Sequence, residues 1–158
     1  MKVIIVGGVA GGASAAARLR RLNEKVQITI FERSGFVSYA NCGLPYYLSG
    51  VIEDQADLTV QTPDTLKQRF NINVKTEHEV TKIDRDNKTV TVHDLRNDIV
   101  FTENYDKLLL APGAAPVIPS IPGLPSIAET NLSHAMQQAK TNYAKLNSSN
   151  IYTLRTVE

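Results

Sequence analysis

The chain has a single cysteine, Cys42, no tryptophan, and three histidines, His78, His93 and His134, that stand far apart. One cysteine closes no internal disulfide and builds no thiolate-rich metal site, so no metal centre is expected and any sulfur chemistry has one address. Neither sign of charge is in excess: 17 Lys and Arg face 16 Asp and Glu, a formal net charge of +1. That balance supplies no field for holding nucleic acid or an anionic membrane surface. Wholly apolar runs stop after a handful of residues, far short of the roughly 20 that a membrane-spanning helix needs. Met1-Lys2 leads into a short apolar run that meets glycine at once, which reads as a strand entering a turn rather than a secretion signal. The expectation is a cytoplasmic protein with neither a membrane nor a nucleic-acid partner. Its 158 residues, 42% of them hydrophobic, suffice for one domain with its own core.

Val3-Ile4-Ile5-Val6 is a β-branched run bounded by glycine, the pattern of a strand buried on both faces of a parallel sheet, and residues 2–6 form the first expected strand. The glycine-rich turn Gly7–Gly12 follows, then an alanine-rich helix over Ala13–Leu22, then a strand over Val26–Phe31 that ends at Glu32. These segments make one βαβ unit with a right-handed crossover. Pro45 is placed to open a short helix, and Pro63–Phe70 reads as another. From Asn73 to Phe101 the pattern changes to alternation, with an Asp86-Asn87-Lys88 turn, which predicts antiparallel strands. Tyr105–Leu110 reads as a final buried strand, after which Pro112, Pro116, Pro119, Pro122 and Pro125 exclude regular helix. Residues 126–150 read as a helical insertion or linker with a weak apolar stripe, and Ile151–Leu154 turns strand-like. The fold class is α/β: a Rossmann-like parallel sheet with an antiparallel excursion.

In a dinucleotide-binding turn, Gly-x-Gly-x-x-Gly brings backbone N–H groups at a helix N-terminus close to a pyrophosphate. The three places here are Gly7, Val9 and Gly12, so the central glycine is missing. The context compensates, because the turn follows a buried strand, opens a helix, and precedes an acid, Glu32, at the end of the next strand. Glu32 is placed to accept from an adenosine ribose. An acid there repels a ribose 2′-phosphate, so FAD or NAD is expected rather than NADP.

Cys42 taken alone is more often a small buried hydrophobe than a nucleophile. Ser38 and Asn41 offer polar contacts, and Gly43-Leu44-Pro45 puts the sulfur at the start of a helix, whose dipole favours a thiolate.

Across Gly7–Arg18, Phe31-Glu32-Arg33, the run Val37-Ser38-Tyr39-Ala40-Asn41-Cys42-Gly43-Leu44-Pro45-Tyr46, Gln61-Thr62-Pro63, His78-Glu79-Val80 and Tyr105–Ala114, the sequence resembles the coenzyme A-disulfide reductases. These are flavin-dependent pyridine nucleotide-disulfide oxidoreductases of the single-cysteine branch that also holds NADH peroxidase and NADH oxidase. The resemblance implies that residues 1–125 are the N-terminal part of an FAD-binding domain and that 151–158 begin the connection toward an NAD-binding domain. It implies FAD on Gly7, Gly8, Val9, Ala10, Gly11, Gly12, Glu32, Arg33 and Asn41, with the backbone near Val80 at the adenine and Ala111-Pro112-Gly113 beside the flavin. It implies NAD(P)H as reductant, coenzyme A disulfide or a persulfide as substrate, and a homodimeric intact enzyme. Cys42 then carries a mixed disulfide with coenzyme A, whose contacts fall on Ser14, Arg18, Arg21, Ser38 and Asn41. Phe70, beside Arg69, stands where some relatives have a lysine for the coenzyme A end. Two other readings stay open: an oxidase or peroxidase in which Cys42 cycles through a sulfenic acid, and a non-catalytic dinucleotide-binding module.

Overall fold

The computed structural model describes residues 1–114. The readings for Pro116–Pro125, for 126–150 and for 151–158 fall outside the described residues.

Strand β1 (Lys2–Val6) is the centre of a parallel sheet in the order β3-β2-β1-β7, flanked by β2 (Gln27–Phe31) and β7 (Lys107–Leu110), with β3 (Asn73–Lys75) outside β2. Val3, Ile4 and Ile5 are at most 5% exposed, as the β-branched run requires of a strand covered on both faces. Side chains alternate across the sheet. Val3 and Ile5, with Ile28 and Ile30 of β2, pack with Ala16 of helix α1 (Ala10–Leu22) and Leu66 of helix α3 (Pro63–Phe70). Ile4 and Phe31 pack the other way, against Val90 and Val92. Those valines belong to β5 (Thr89–Asp94), the middle strand of an antiparallel sheet between β4 (His78–Asp84) and β6 (Ile99–Asn104). The described residues are thus layered as helices, parallel sheet and antiparallel sheet.

Three expectations are corrected. Helix α1 begins at Ala10, so Gly11 and Gly12 lie in its first turn rather than in the loop before it. Asn73–Lys75 joins the parallel sheet beside β2, and the antiparallel excursion starts only at His78. The strand read as buried over Tyr105–Leu110 spans Lys107–Leu110 and pairs only with β1 among the described residues, leaving Leu110 57% exposed. A strand with one neighbour keeps only part of its surface covered.

Both hairpin turns of the antiparallel sheet are built alike. Asp84 accepts from the backbone and side-chain N–H groups of Asn87, and Asp94 does the same with Asn97. The next residue in each, Lys88 or Asp98, takes positive φ. Helix α3 is opened by Thr62, which exchanges bonds with Thr65 in a capping box ahead of Pro63. Arg20, 9% exposed, turns inward and donates to the carbonyls of Phe70, Asn71, Asn23 and Glu24, tying the end of α1 to the end of α3.

Candidate functional site

The carboxyl ends of β1, β2 and β7 converge on the glycine turn, the position where open α/β sheets bind ligands. Gly7 has φ +92°, its N–H donates to the Phe31 carbonyl at 2.8 Å, and a Cβ on it would lie 2.1 Å from the Ala111 oxygen. Ala111 is fixed there because its N–H donates to the Val6 carbonyl. A Cβ on Gly12 would lie 1.8 Å from the Gly7 oxygen, so only glycine lets α1 approach β1 this closely. Position 9 needs no glycine: Val9 sits half-buried as the residue before α1.

Glu32 is 7% exposed and anchors the turn. Its Oε2 accepts from the Gly8 N–H at 2.7 Å and its Oε1 from the Ser34 N–H at 2.9 Å. Each oxygen retains a second acceptor position. Helix α1 has no side-chain cap and no acid in its first turn, and Ala10 and Gly11 are exposed. The N-terminus of a 13-residue helix is thereby open to an anion. The structure brings together Gly7–Gly12, Glu32 and Ala111–Gly113. Arg33 is exposed immediately after Glu32, and Val80 is half-buried in β4 against the Ile4 and Phe31 cluster.

Cys42 is exposed in a 3-10 turn, Asn41–Gly43, that runs into the five-residue helix α2 (Leu44–Leu48). It is therefore not the buried hydrophobe that a lone free cysteine commonly is. The loop before it is pinned through Ser38, which has φ +50°. Its N–H donates to the Gly8 carbonyl at 2.9 Å, and its own carbonyl accepts from Val60 at 2.8 Å and Gln61 at 3.3 Å. Ala40 donates to the Leu58 carbonyl, and Tyr39 bridges Thr59. A left-handed conformation at a non-glycine residue persists only where its surroundings hold it, and such residues gather at functional sites.

Between this ladder and α1 lies a groove of about 300 Å³. One wall is Val9 with Ala10, Ala13, Ser14 and Ala17 of α1; the other is Ser38, Tyr39, Val60 and Gln61; Leu66 and Phe70 of α3 close it. Ser14 and Ser38, four residues from Cys42 on its own loop, thus meet in one groove. Arg18 and Arg21 continue the exposed stripe of α1 from Ser14 at helical spacing, outside the groove lining, and Asn41 is exposed beside Cys42. Phe70 makes its end of the groove apolar, yet the guanidinium of Arg69 lies 5.9 Å from the Phe70 ring centre, so a cation is present there without the lysine. Sequence reasoning did not single out Tyr39, Val60 or Leu66 as lining residues; the pairing of segments 38–40 and 58–61 that gathers them has no local signal.

The profile of the pyridine nucleotide-disulphide oxidoreductases matches residues 1–153. The chain belongs to that family. It is 46% identical over 113 residues to the coenzyme A disulfide reductase of Staphylococcus haemolyticus, covering 72% of this chain and 26% of that one. Among solved structures, the reduced CoADR-RHD of Bacillus anthracis is 43% identical with a TM-score of 0.75, covering 88% of this chain and 27% of that one. The water-forming NADH oxidase of Lactobacillus brevis is 36% identical with a TM-score of 0.73, covering 90% and 32%. The chain spans about a quarter of the length of the curated relatives it matches. The family takes its name from the pyridine nucleotide its members use, and the L. brevis oxidase is bound to NADH. The described residues fit FAD: the side-chain-free cradle at Gly7 and Gly12, the uncapped helix and the spare acceptor positions of Glu32 suit a pyrophosphate with its adjoining ribose. Among these residues no helix is long and apolar enough to cross a membrane, and no three His, Cys, Asp or Glu side chains are grouped to hold a metal ion.

Proposed function

We propose that the full-length protein is an NAD(P)H-dependent, FAD-containing reductase of coenzyme A disulfide, with coenzyme A persulfides as related substrates. The observation that carries this reading is the exposed Cys42 on a loop pinned by Ser38 between the dinucleotide turn and the 300 Å³ groove. The likeness to the staphylococcal and Bacillus enzymes, over the same run of residues, supports the choice of substrate. Gly7–Gly12 and Glu32 hold the pyrophosphate and ribose of FAD, with Arg33, Asn41, Val80 and Ala111-Pro112-Gly113 around the rest. Ser14, Arg18, Arg21, Ser38 and Asn41 hold coenzyme A, the two arginines facing its phosphates.

Bound FAD supplies two electrons drawn from NAD(P)H. The Cys42 thiolate attacks one sulfur of the disulfide, a new S–S bond forms, and one coenzyme A thiolate leaves. Two electrons then cleave the Cys42 mixed disulfide, which releases the second coenzyme A thiolate and regenerates the Cys42 thiolate. Exposure of Cys42 gives the incoming disulfide access, and the pinned loop fixes where attack occurs.

Mass spectrometry of the non-reduced full-length protein tests the reading together with a Cys42→Ser variant. The expected results are a coenzyme A adduct on Cys42 and, in the variant, flavin still reducible by NAD(P)H with coenzyme A disulfide turnover abolished, because a serine hydroxyl forms no mixed disulfide. A cysteine sulfenic acid without coenzyme A, or retained turnover in the variant, overturns it.

A further inference from the structure

Gly8 lies outside the three places of the dinucleotide pattern, which fall on Gly7, Val9 and Gly12. Among the described residues the glycines with positive φ are Gly7, Gly50 and Gly113, so the missing side chain at Gly8 serves proximity rather than a turn. A Cβ on Gly8 would stand 2.7 Å from Val37 Cγ2, 3.1 Å from Ile30 Cγ2 and 3.4 Å from Glu32 Cβ. Both of its backbone groups are engaged as well: the N–H donates to Glu32 Oε2 at 2.7 Å, and the carbonyl accepts from the Ser38 N–H at 2.9 Å. One buried residue, just ahead of the start of α1, thus joins the dinucleotide turn to the loop that carries the cysteine.

That loop has little give. Val37 is 2% exposed in the core with Ile5, Ala16 and Leu66, and its branched side chain has few rotamers to escape into. Ser38 keeps φ +50° while its carbonyl accepts from Val60 and Gln61. Ala40 donates to Leu58, and Gly43, just past the cysteine, donates to Ala40 at 2.9 Å. A Cβ on Gly43 would lie 2.6 Å from Leu58 Cδ2, so this end is packed to contact too. Cys42 therefore rides on a segment pinned on both sides, Ser38 against Gly8 and Gly43 against Ala40. A displacement imposed at Gly8 moves the segment as a body, and the sulfur with it, relative to α1 on the far side of the groove.

We propose that Gly8 is a positioning residue for the disulfide exchange: it sets the register of the Cys42 loop against α1, so that the sulfur meets a disulfide whose arm lies in the groove. This rests on the reading of the protein as a coenzyme A-disulfide reductase and adds where the alignment of its nucleophile is decided. Gly8 acts through Val37 and Ser38. A small alkylating agent needs no groove and is insensitive to that register.

The test uses the full-length, FAD-loaded protein as Gly8→Ala, Val37→Ala and the double variant. The first crowds the contact, the second opens it, and the double lets the added methyl take the space that the valine gives up. With Cys42 reduced, mass spectrometry follows two rates: formation of the coenzyme A adduct from coenzyme A disulfide, and alkylation by iodoacetamide. The ratio of the two cancels any change in thiolate fraction, which both reactions share. Each single variant is expected to lose about tenfold in that ratio, the scale of a reacting group misplaced by a fraction of an ångström, and the double variant to regain most of it. Flavin reduction by NAD(P)H is expected to keep its wild-type rate in Val37→Ala. A role in stability alone lowers the yield of folded protein and leaves the ratio unchanged. If Gly8→Ala does not fold, Val37→Ala and the double variant carry the comparison. An unchanged ratio in Val37→Ala, an equal loss in both reactions, or no recovery in the double variant overturns the assignment while the reductase reading stands. Failure of wild-type Cys42 to take the adduct overturns the reading itself, and the assignment with it.

Discussion

Alanine at Gly12 and at Gly11 should act in opposite directions although the residues are adjacent in the same helical turn. A Cβ on Gly12 would stand 1.8 Å from the Gly7 carbonyl oxygen, 2.9 Å from its carbon and 3.1 Å from Ile5 Cγ2. Carbon and oxygen rest no closer than about 3.3 Å, so relief requires α1 and β1 to part by roughly 1.5 Å. The obstacle is backbone and is held: Gly7 donates to Phe31, and the Gly8 N–H is bound to Glu32. Parting the two elements opens space around Ala13 and Ala16, which are 7% and 0% exposed. Overpacking costs about 1–3 kcal/mol where side chains can yield. Here backbone must yield, so Gly12→Ala is expected to cost at least about 3 kcal/mol, a large share of a total stability of about 5–15 kcal/mol. At Gly11 the nearest atom to an added Cβ is Ala111 Cβ at 3.5 Å, an ordinary contact. Gly11→Ala should be neutral or stabilising by up to about 0.5–1 kcal/mol through the lost flexibility of glycine. Denaturant titration of the full-length protein, followed by flavin retention after dialysis, measures both. A Gly12→Ala protein within about 1 kcal/mol of wild type, or two variants with equal losses, refutes the reasoning.

Arg20→Met retains the apolar stem and abandons the carbonyls of Phe70, Asn71, Asn23 and Glu24. The expected loss is about 2–4 kcal/mol in urea unfolding, only partly recovered by Arg20→Lys, whereas the exposed Arg18→Met should stay within about 0.5 kcal/mol; equal effects at the two arginines contradict the clamp. The side-chain bond from Asn97, then its backbone bond, holds the Asp94 carboxyl below its usual pKa. A depressed native pKa adds stability above the unfolded value, near pH 4, and that stability is lost as pH falls through the native value. Asn97→Ala should therefore lower the thermal midpoint at neutral pH, with the gap to wild type narrowing below about pH 4; a gap that widens in acid contradicts the assignment.

Much of this arrangement could be read from the chain itself, wherever local chemistry decides it. Val3–Val6 has no reason to be anything but a doubly covered strand, and Thr62-Pro63 opens α3 by an N-cap and a fixed φ, so both elements begin where the residues say. The spacing of Gly12 and Glu32 picked out two residues that the fold does bring to one glycine turn, even without a glycine at Val9. What escaped depends on partners distant in sequence. Asn73–Lys75 looks like the first of the alternating strands, and only β2 recruits it to the parallel sheet. The exposure of Leu110 follows from which strands stand beside β7. The signal for Arg20 was present and unread: Ala13, Ala16 and Arg20 share the inward face of α1, while Ser14, Arg18 and Arg21 share the outward one. Nothing in the local sequence marks Ser38 for a left-handed backbone.

The sheet order also sets a schedule for biosynthesis. β1 is made just before its neighbour β2, but its other neighbour, Lys107–Leu110, is made more than a hundred residues later. Until then a growing chain presents Val3–Val6 with one row of backbone donors and acceptors open, in the most apolar of the described strands. The seal, when it comes, is double at its first rung: Lys2 N–H donates to the Asp106 side chain at 2.6 Å, and Asp106 N–H returns a bond to the Lys2 carbonyl at 2.9 Å. A chain stalled before that aspartate still has this edge of β1 open, however complete the rest of its sheet.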